Sequence, residues 1–93
     1  MRDAIDIHIG RRLRRRRRLL GLSQQVLGAR CGVRFQQIQK YECAANRLSA
    51  AMLWRLAGAL EVDVGYFFLD AEAASAPAAG GRRSLLEMPA PPL

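Results

Sequence analysis

The sequence predicts an all-α fold: a compact five-helix bundle that contains a helix-turn-helix unit and ends in a flexible C-terminal tail. Three observations carry this prediction. Apolar residues recur at helical spacing, as in Ile9, Leu13 and Leu20 and again in Leu53, Leu56, Ala57 and Leu60. Helix-starting residues (Ser23, Ser49, Asp63) and helix-stopping glycines (Gly21, Gly32) cut the periodic stretch into short pieces. From Ala71 onward Ala, Pro, Gly and Ser take over, a composition that does not build a core.

With 93 residues, one domain is expected. The chain divides into an N-terminal lead-in over 1–8, a helical domain over 9–70 and a tail over 71–93. A domain of this size buries only ~60% of its unfolded surface, so association with a partner chain would help it.

In the lead-in, Ile5, Ile7 and Ile9 alternate with Asp6 and His8, and His8 is read as exposed and without a role. Helix one is expected from Asp6 or Ile9 to Leu20, stopped by Gly21. The run Arg14–Arg18 surrounds its apolar stripe. Five successive residues point in every direction around a helix, so some stems cover apolar surface and some guanidinium groups are free to follow a phosphate backbone.

Helix two is expected over Gln24 to Cys31, capped by Ser23, anchored inward by Leu27 and ended by the tight turn at Gly32. Gln24 and Gln25 sit at its start, where free backbone N–H groups favour an anion such as a phosphate. Gly28 costs ~1 kcal/mol of helix propensity against Ala, and its missing side chain lets helix three approach closely.

Helix three is expected from Arg34 to about Cys43. With Ile38 and Tyr41 turned inward, Gln36 and Lys40 point out, flanked by Gln37 and Gln39. Gln bonds adenine bidentately and Lys donates to guanine, so this face suits the major groove. On this helix alone, a merely solvated Gln-rich surface fits equally well. Phe35 either caps the core or touches a thymine methyl.

The loop after Cys43 carries Asn46, suited to a turn, and Arg47, free to reach a phosphate. Ser49 caps helix four, whose Leu53, Leu56, Ala57 and Leu60 form a core stripe with Met52 and Trp54 nearby. Asp63 caps a short fifth helix bearing Val64, Tyr66, Phe67, Phe68 and Leu69. One side is expected to pack on helices one and four, and the surplus apolar surface over Tyr66–Leu69 is read either as a homodimer or partner-protein contact or as ordinary core. In the tail, Ser84–Met88 is the one apolar patch, read either as a weak contact to the body or to a partner protein or as plain disorder.

The overall charge is +7, but its distribution decides more. Ile9 to Arg55 holds twelve positive residues and one acid, Glu42, while the remainder holds three positive residues and seven acids. A cationic helical body points to a polyanion, with double-stranded DNA ahead of a membrane surface. No apolar run reaches the ~18 residues of a membrane span, and the N-terminus has no apolar signal segment, so a cytoplasmic location is expected. Two cysteines, Cys31 and Cys43, and a single histidine do not supply the ligand spacing of a metal site, and no cofactor is expected. Without a clustered set of titratable groups or a glycine-rich phosphate loop, no enzymatic activity is expected either.

Taken together, Ile9-Gly10, Leu13, Arg17, Leu22-Ser23-Gln24, Leu27, Gly32-Val33, Ile38, Tyr41-Glu42, Leu53, Leu56, Ala57, Leu60, Val62 and Phe67 resemble the phage-repressor (XRE, lambda-repressor-like) helix-turn-helix family. The resemblance covers roughly Ile9 to Phe68. It implies a phosphate contact at Gln24, an ion pair between Arg17 and Glu42, and base contacts from Arg34, Phe35, Gln36, Gln37 and Lys40. It also implies two-fold dimers that place paired recognition helices one DNA turn, ~34 Å, apart. The chain departs from the family pattern at Arg34 and Phe35, where a small polar residue is frequent, and at Gly28, where Ala is usual. The loop Cys43–Arg47 also lacks the frequent Asn-Gly pair.

The expected function is that of a sequence-specific DNA-binding transcriptional regulator, a dimeric repressor inserting the helix over 34–43 in the major groove. The alternative is an antitoxin-type protein-binding module that also autoregulates through DNA.

Overall fold

The computed structural model describes residues 3–71, and the tail with its Ser84–Met88 patch lies outside them. Four α-helices follow one another: α1 (Ala4–Leu19), α2 (Gln24–Cys31), α3 (Phe35–Glu42) and α4 (Ala50–Ala59), then a 3₁₀ turn over Val64–Phe68. α1 packs on α3 and on the 3₁₀ turn, while α2 packs on α3 and α4.

The end of α1 and both ends of α3 are one residue tighter than the sequence expectation, with Leu20, Arg34 and Cys43 as caps rather than helix, and two larger differences stand out. α1 starts at Ala4, because the Asp3 carboxylate accepts the Ile5 N–H at 2.7 Å and caps the helix. The expected lead-in is therefore helical from its fourth residue onward, and the alternation of Ile5, Ile7 and Ile9 is not a strand-like period. The expected fifth α-helix is a 3₁₀ turn. Val64, Gly65 and three aromatic residues are poor helix formers, and the Asp63 side chain makes no cap bond. Its backbone carbonyl instead accepts the Tyr66 N–H at 2.9 Å, and Leu69 N–H closes a second such turn onto Tyr66 at 3.4 Å.

All four helices end in the same crossed pair of hydrogen bonds, with a left-handed residue just past the end. After α1 the pair is Gly21 N–H to Arg18 and Leu22 N–H to Arg17, both at 3.0 Å. Gly21 and Gly32 supply the left-handed residue after α1 and α2. After α3 and α4 it is Ala44, at φ 60°, and Glu61, at φ 59°.

The core collects one stripe from each element: Leu13, Leu27, Ile38, Leu56, Leu60 and Phe67 are fully buried, with Ile9, Tyr41, Met52 and Leu53 around them. Trp54 stands away from this core on the outer side of α4, 72% exposed. Two glycines set the close approaches. A Cβ on Gly10 would sit 2.6 Å from the carbonyl oxygens of both Tyr41 and Glu42, so α1 lies directly on the end of α3. A Cβ on Gly28 would sit 2.6 Å from the Val33 carbonyl oxygen, so α2 accepts the start of α3 without a side chain between them.

Candidate nucleic-acid interface

The site is built on α2, its turn and α3. Ser23 Oγ accepts the Val26 N–H at 3.1 Å and fixes the start of α2. Gly32, at φ 73°, turns the chain, and Val33 N–H reaches back to the Gly28 carbonyl at 2.9 Å. Arg34 is the extended N-cap of α3 and makes no side-chain cap bond, so the first N–H groups of α3 are left uncapped.

On α3, Ile38 and Tyr41 face the core, while Phe35, Gln36, Gln39 and Lys40 are exposed and Gln37 is half-buried. The residues at positions 36, 39 and 40 share one outward face by helical geometry. Gln39, expected only to flank Gln36 and Lys40, is exposed on this face with them, whereas Gln37 is turned partly inward. Phe35 lies in the first turn and is 37% exposed, so neither the core nor the solvent claims it wholly.

Behind α3 lies a buried ion pair. Arg17 Nε reaches Glu42 Oε2 at 2.6 Å and Arg17 Nη2 reaches Oε1 at 3.0 Å, while Nη1 donates to the Leu22 carbonyl at 2.8 Å. The two side chains are 10% and 5% exposed. The bidentate geometry and the extra carbonyl offset the desolvation of both charges. Gln24 joins the same network, donating its amide N–H to Glu42 Oε1 at 3.1 Å. One amide hydrogen of Gln24 is therefore engaged, and the amide is held at the start of α2 with its second N–H unassigned. Gln25 beside it is exposed.

Asn46 and Arg47 are exposed in the loop after α3. Arg47 Nε lies 3.1 Å from Asp6 Oδ2 in a surface ion pair that ties this loop to α1, an interaction worth little at such exposure.

The arginines of α1 divide into two sets. Arg12 Nε donates to the Tyr66 carbonyl at 3.1 Å, with its guanidinium carbon 4.0 Å above the Tyr66 ring. Arg16 Nε donates to the Leu60 carbonyl at 2.9 Å. With Arg17, these three brace the fold. Arg11, Arg14, Arg15 and Arg18 are exposed.

The expected Tyr66–Leu69 patch is split. Phe67 is fully buried, and Tyr66 packs edge-on against it at 5.7 Å, leaving Phe68 and Leu69 exposed. His8, read from the sequence as exposed and idle, is half-buried, and its Nε2 is hydrogen-bonded to the Leu69 carbonyl. The 3₁₀ turn is thus tied to α1 by His8 and Arg12, while Arg16 ties α1 to the end of α4. Cys31 is buried and Cys43 is exposed. Burial pushes the Cys31 thiol above its ordinary range, and Arg55 nearby pulls it only part of the way back. Among the described residues no helix is long and apolar enough to cross a membrane.

The helix-turn-helix family model matches residues 13–67, more than half of the chain. An uncharacterized HTH-type transcriptional regulator of Sinorhizobium fredii, y4aM, is 52% identical over 68 residues, 73% of this chain and 48% of the relative. An uncharacterized transcriptional regulator in the ATPase CF(0) region of Rhodospirillum rubrum is 53% identical over 68 residues, 73% of this chain and 63% of the relative. The chain spans about half the length of several curated relatives it matches.

Among solved structures, the restriction-modification controller protein C.AhdI of Aeromonas hydrophila superposes with a TM-score of 0.65 at 29% identity, over 67% of this chain and 90% of that one. The P22 c2 repressor, solved in complex with a synthetic operator, superposes with a TM-score of 0.61 at 30% identity, over 63% and 89%. The motif read from the sequence, the α2–turn–α3 geometry and these likenesses agree: the chain belongs to the phage-repressor-like (XRE) helix-turn-helix family.

Proposed function

We propose that the chain is a sequence-specific DNA-binding transcriptional regulator that acts in the cytoplasm as a dimeric repressor, with α3 lying in the major groove. The observation that carries this reading is the outward face of α3. Gln36, Gln39 and Lys40 are exposed there, while the helix's one carboxylate, Glu42, is turned inward onto Arg17. A face of amides and one ammonium can donate to and accept from base edges, and it repels no phosphate. The names of the relatives and the operator-bound P22 c2 repressor support it.

In this reading Gln36, Gln37, Gln39 and Lys40 read bases, with Arg34 and Phe35 at the entering end. Gln24, Gln25, Asn46 and Arg47 hold phosphates. Gln24 presents its second amide N–H while Glu42 holds the first. Repression needs nothing beyond occupancy of a promoter. The exposed Phe68 and Leu69 form the contact between copies. An antitoxin-type module would turn the same pair toward another protein, and the mass of the purified assembly, alone and with a candidate partner, separates the two.

The test compares binding to a selected duplex and to random duplex at fixed salt. Gln36→Ala and Lys40→Ala are expected to relax preference at one base pair each, costing ~1–3 kcal/mol on the selected sequence. Gln25→Ala and Arg47→Ala are expected to weaken both duplexes alike. Equal losses on both duplexes for every α3 variant would overturn the base-reading assignment.

A further inference from the structure

The four arginines of α1 left outside the fold's own bonding share one face. Arg11, Arg14, Arg15 and Arg18 stand at i, i+3, i+4 and i+7, on the side of α1 opposite the buried Ile9, Leu13 and Arg17. They line one shallow open depression together with the exposed Leu19. None of the four makes an ion pair or hydrogen bond among the described residues, whereas Arg12, Arg16 and Arg17 all do. From Ile7 to the end of α1 there is no carboxylate to relieve them.

Such a face works against the fold. Its neighbours 11 and 14, 11 and 15, 14 and 18, and 15 and 18 are like-charged pairs at helical contact spacing, each of which destabilises an isolated helix. Four guanidinium groups also make the planar, two-pronged donors that match phosphate oxygens. Leu19 is the one apolar residue in the depression, too little to seat the helix on a lipid surface.

We propose that the Arg11–Arg14–Arg15–Arg18 face of α1 is a second DNA-binding surface, which takes the phosphate backbone of duplex DNA away from the groove occupied by α3. The proposal rests on the reading of α3 as the groove-binding element. The phosphates come either from the flank of the same duplex, bent or wrapped toward α1, or from a second duplex brought alongside. The contact is blind to sequence: it adds affinity and salt dependence but no base preference.

The experiment uses the full chain and a variant with Arg11, Arg14, Arg15 and Arg18 all changed to Gln. Affinity is measured from 50 to 200 mM salt on a selected duplex just long enough for the α3 contacts and on the same duplex extended on both sides. A separate arm asks whether the protein retains a second, labelled duplex on an immobilised one. Four phosphate contacts correspond to a salt slope of about 3.6, or about a hundredfold in affinity across this range.

A variant that loses this hundredfold dependence on the extended duplex, but little on the short one, places the phosphates on the flank. Loss of second-duplex retention places them on a separate molecule. Either result supports the proposal, provided that discrimination between selected and scrambled sequence is unchanged. An equal change of slope on short and extended duplexes, or no change, with no retention lost, overturns it while leaving the α3 reading intact. Failure of the unaltered protein to bind any duplex overturns both. The pair variant R14Q/R18Q provides a second measurement, with about half the change in slope. Fold integrity has its own readout: the quadruple variant is expected to melt no lower than the parent at low salt, because repulsion has been removed.

Discussion

At the scale of single residues, Glu42 carries the most consequence. It accepts from Arg17 twice and from Gln24 once, and its side chain is 5% exposed. Glu42→Ala leaves the Arg17 guanidinium buried without its counter-charge, and a loss of ~3–5 kcal/mol is expected in urea unfolding. Changing both partners to apolar residues of similar size, as in R17M/E42L, is expected to recover most of that loss. A double variant no more stable than Glu42→Ala would show that the network is not the cause. Ala44 offers the opposite case. It occupies a left-handed conformation at φ 60°, at a position where Gly21 and Gly32 serve the two preceding helices. Ala44→Gly relieves that strain at some cost in unfolded-chain entropy, so a net gain of ~0.5–1 kcal/mol is expected, read as a rise in Tm. The sequence shows Ala44 and the absence of Asn-Gly in the loop, but not that the chain turns left-handed there, which depends on where α3 stops.

At the scale of elements, the bounds of α2 were legible because both ends are marked by residues with a local mechanism, Ser23 as an acceptor and Gly32 as a left-handed stop. The start of α1 was hidden, since Asp3 caps it two residues ahead of the isoleucine alternation. The last element was legible as helical but not as 3₁₀, because over five residues the two spacings place the same side chain inward. The arginine run could be recognised as mixed but not sorted. Which arginines brace the fold depends on the Leu60 and Tyr66 carbonyls, 44 and 54 residues away in the chain. The α1–α3 crossing rests on Gly10, where a Cβ would meet two backbone oxygens at 2.6 Å. Gly10→Ala is expected to force α3 away from α1. Its overpacking cost of ~1–3 kcal/mol exceeds the gain in helix propensity, so Tm falls by several degrees. An unchanged or higher Tm would mean that the crossing yields easily.

At the scale of the whole molecule, a small bundle joins a cationic surface to a helix, α3, whose exposed polar face is backed by a buried ion pair. Its outward α3 face was legible from periodicity, and its cationic body from charge counting. The link from Gln24 to Glu42 was not, because the two residues are 18 positions apart and meet only once α2 and α3 are packed. The exposed Phe68 and Leu69 are the proposed contact between copies. F68S/L69S is expected to shift the protein toward monomer in sedimentation and to weaken binding to a two-half-site duplex far more than to a single half-site. Equal weakening on both would detach the pair from dimerisation. The central claim is that α3 reads bases, and a parallel selection from a random duplex library with the parent protein and with Gln36→Ala tests it most directly. The predicted result is one shared motif in which the variant has lost preference at a single base pair of each half-site. Two identical motifs, or no motif from the parent protein, would contradict it.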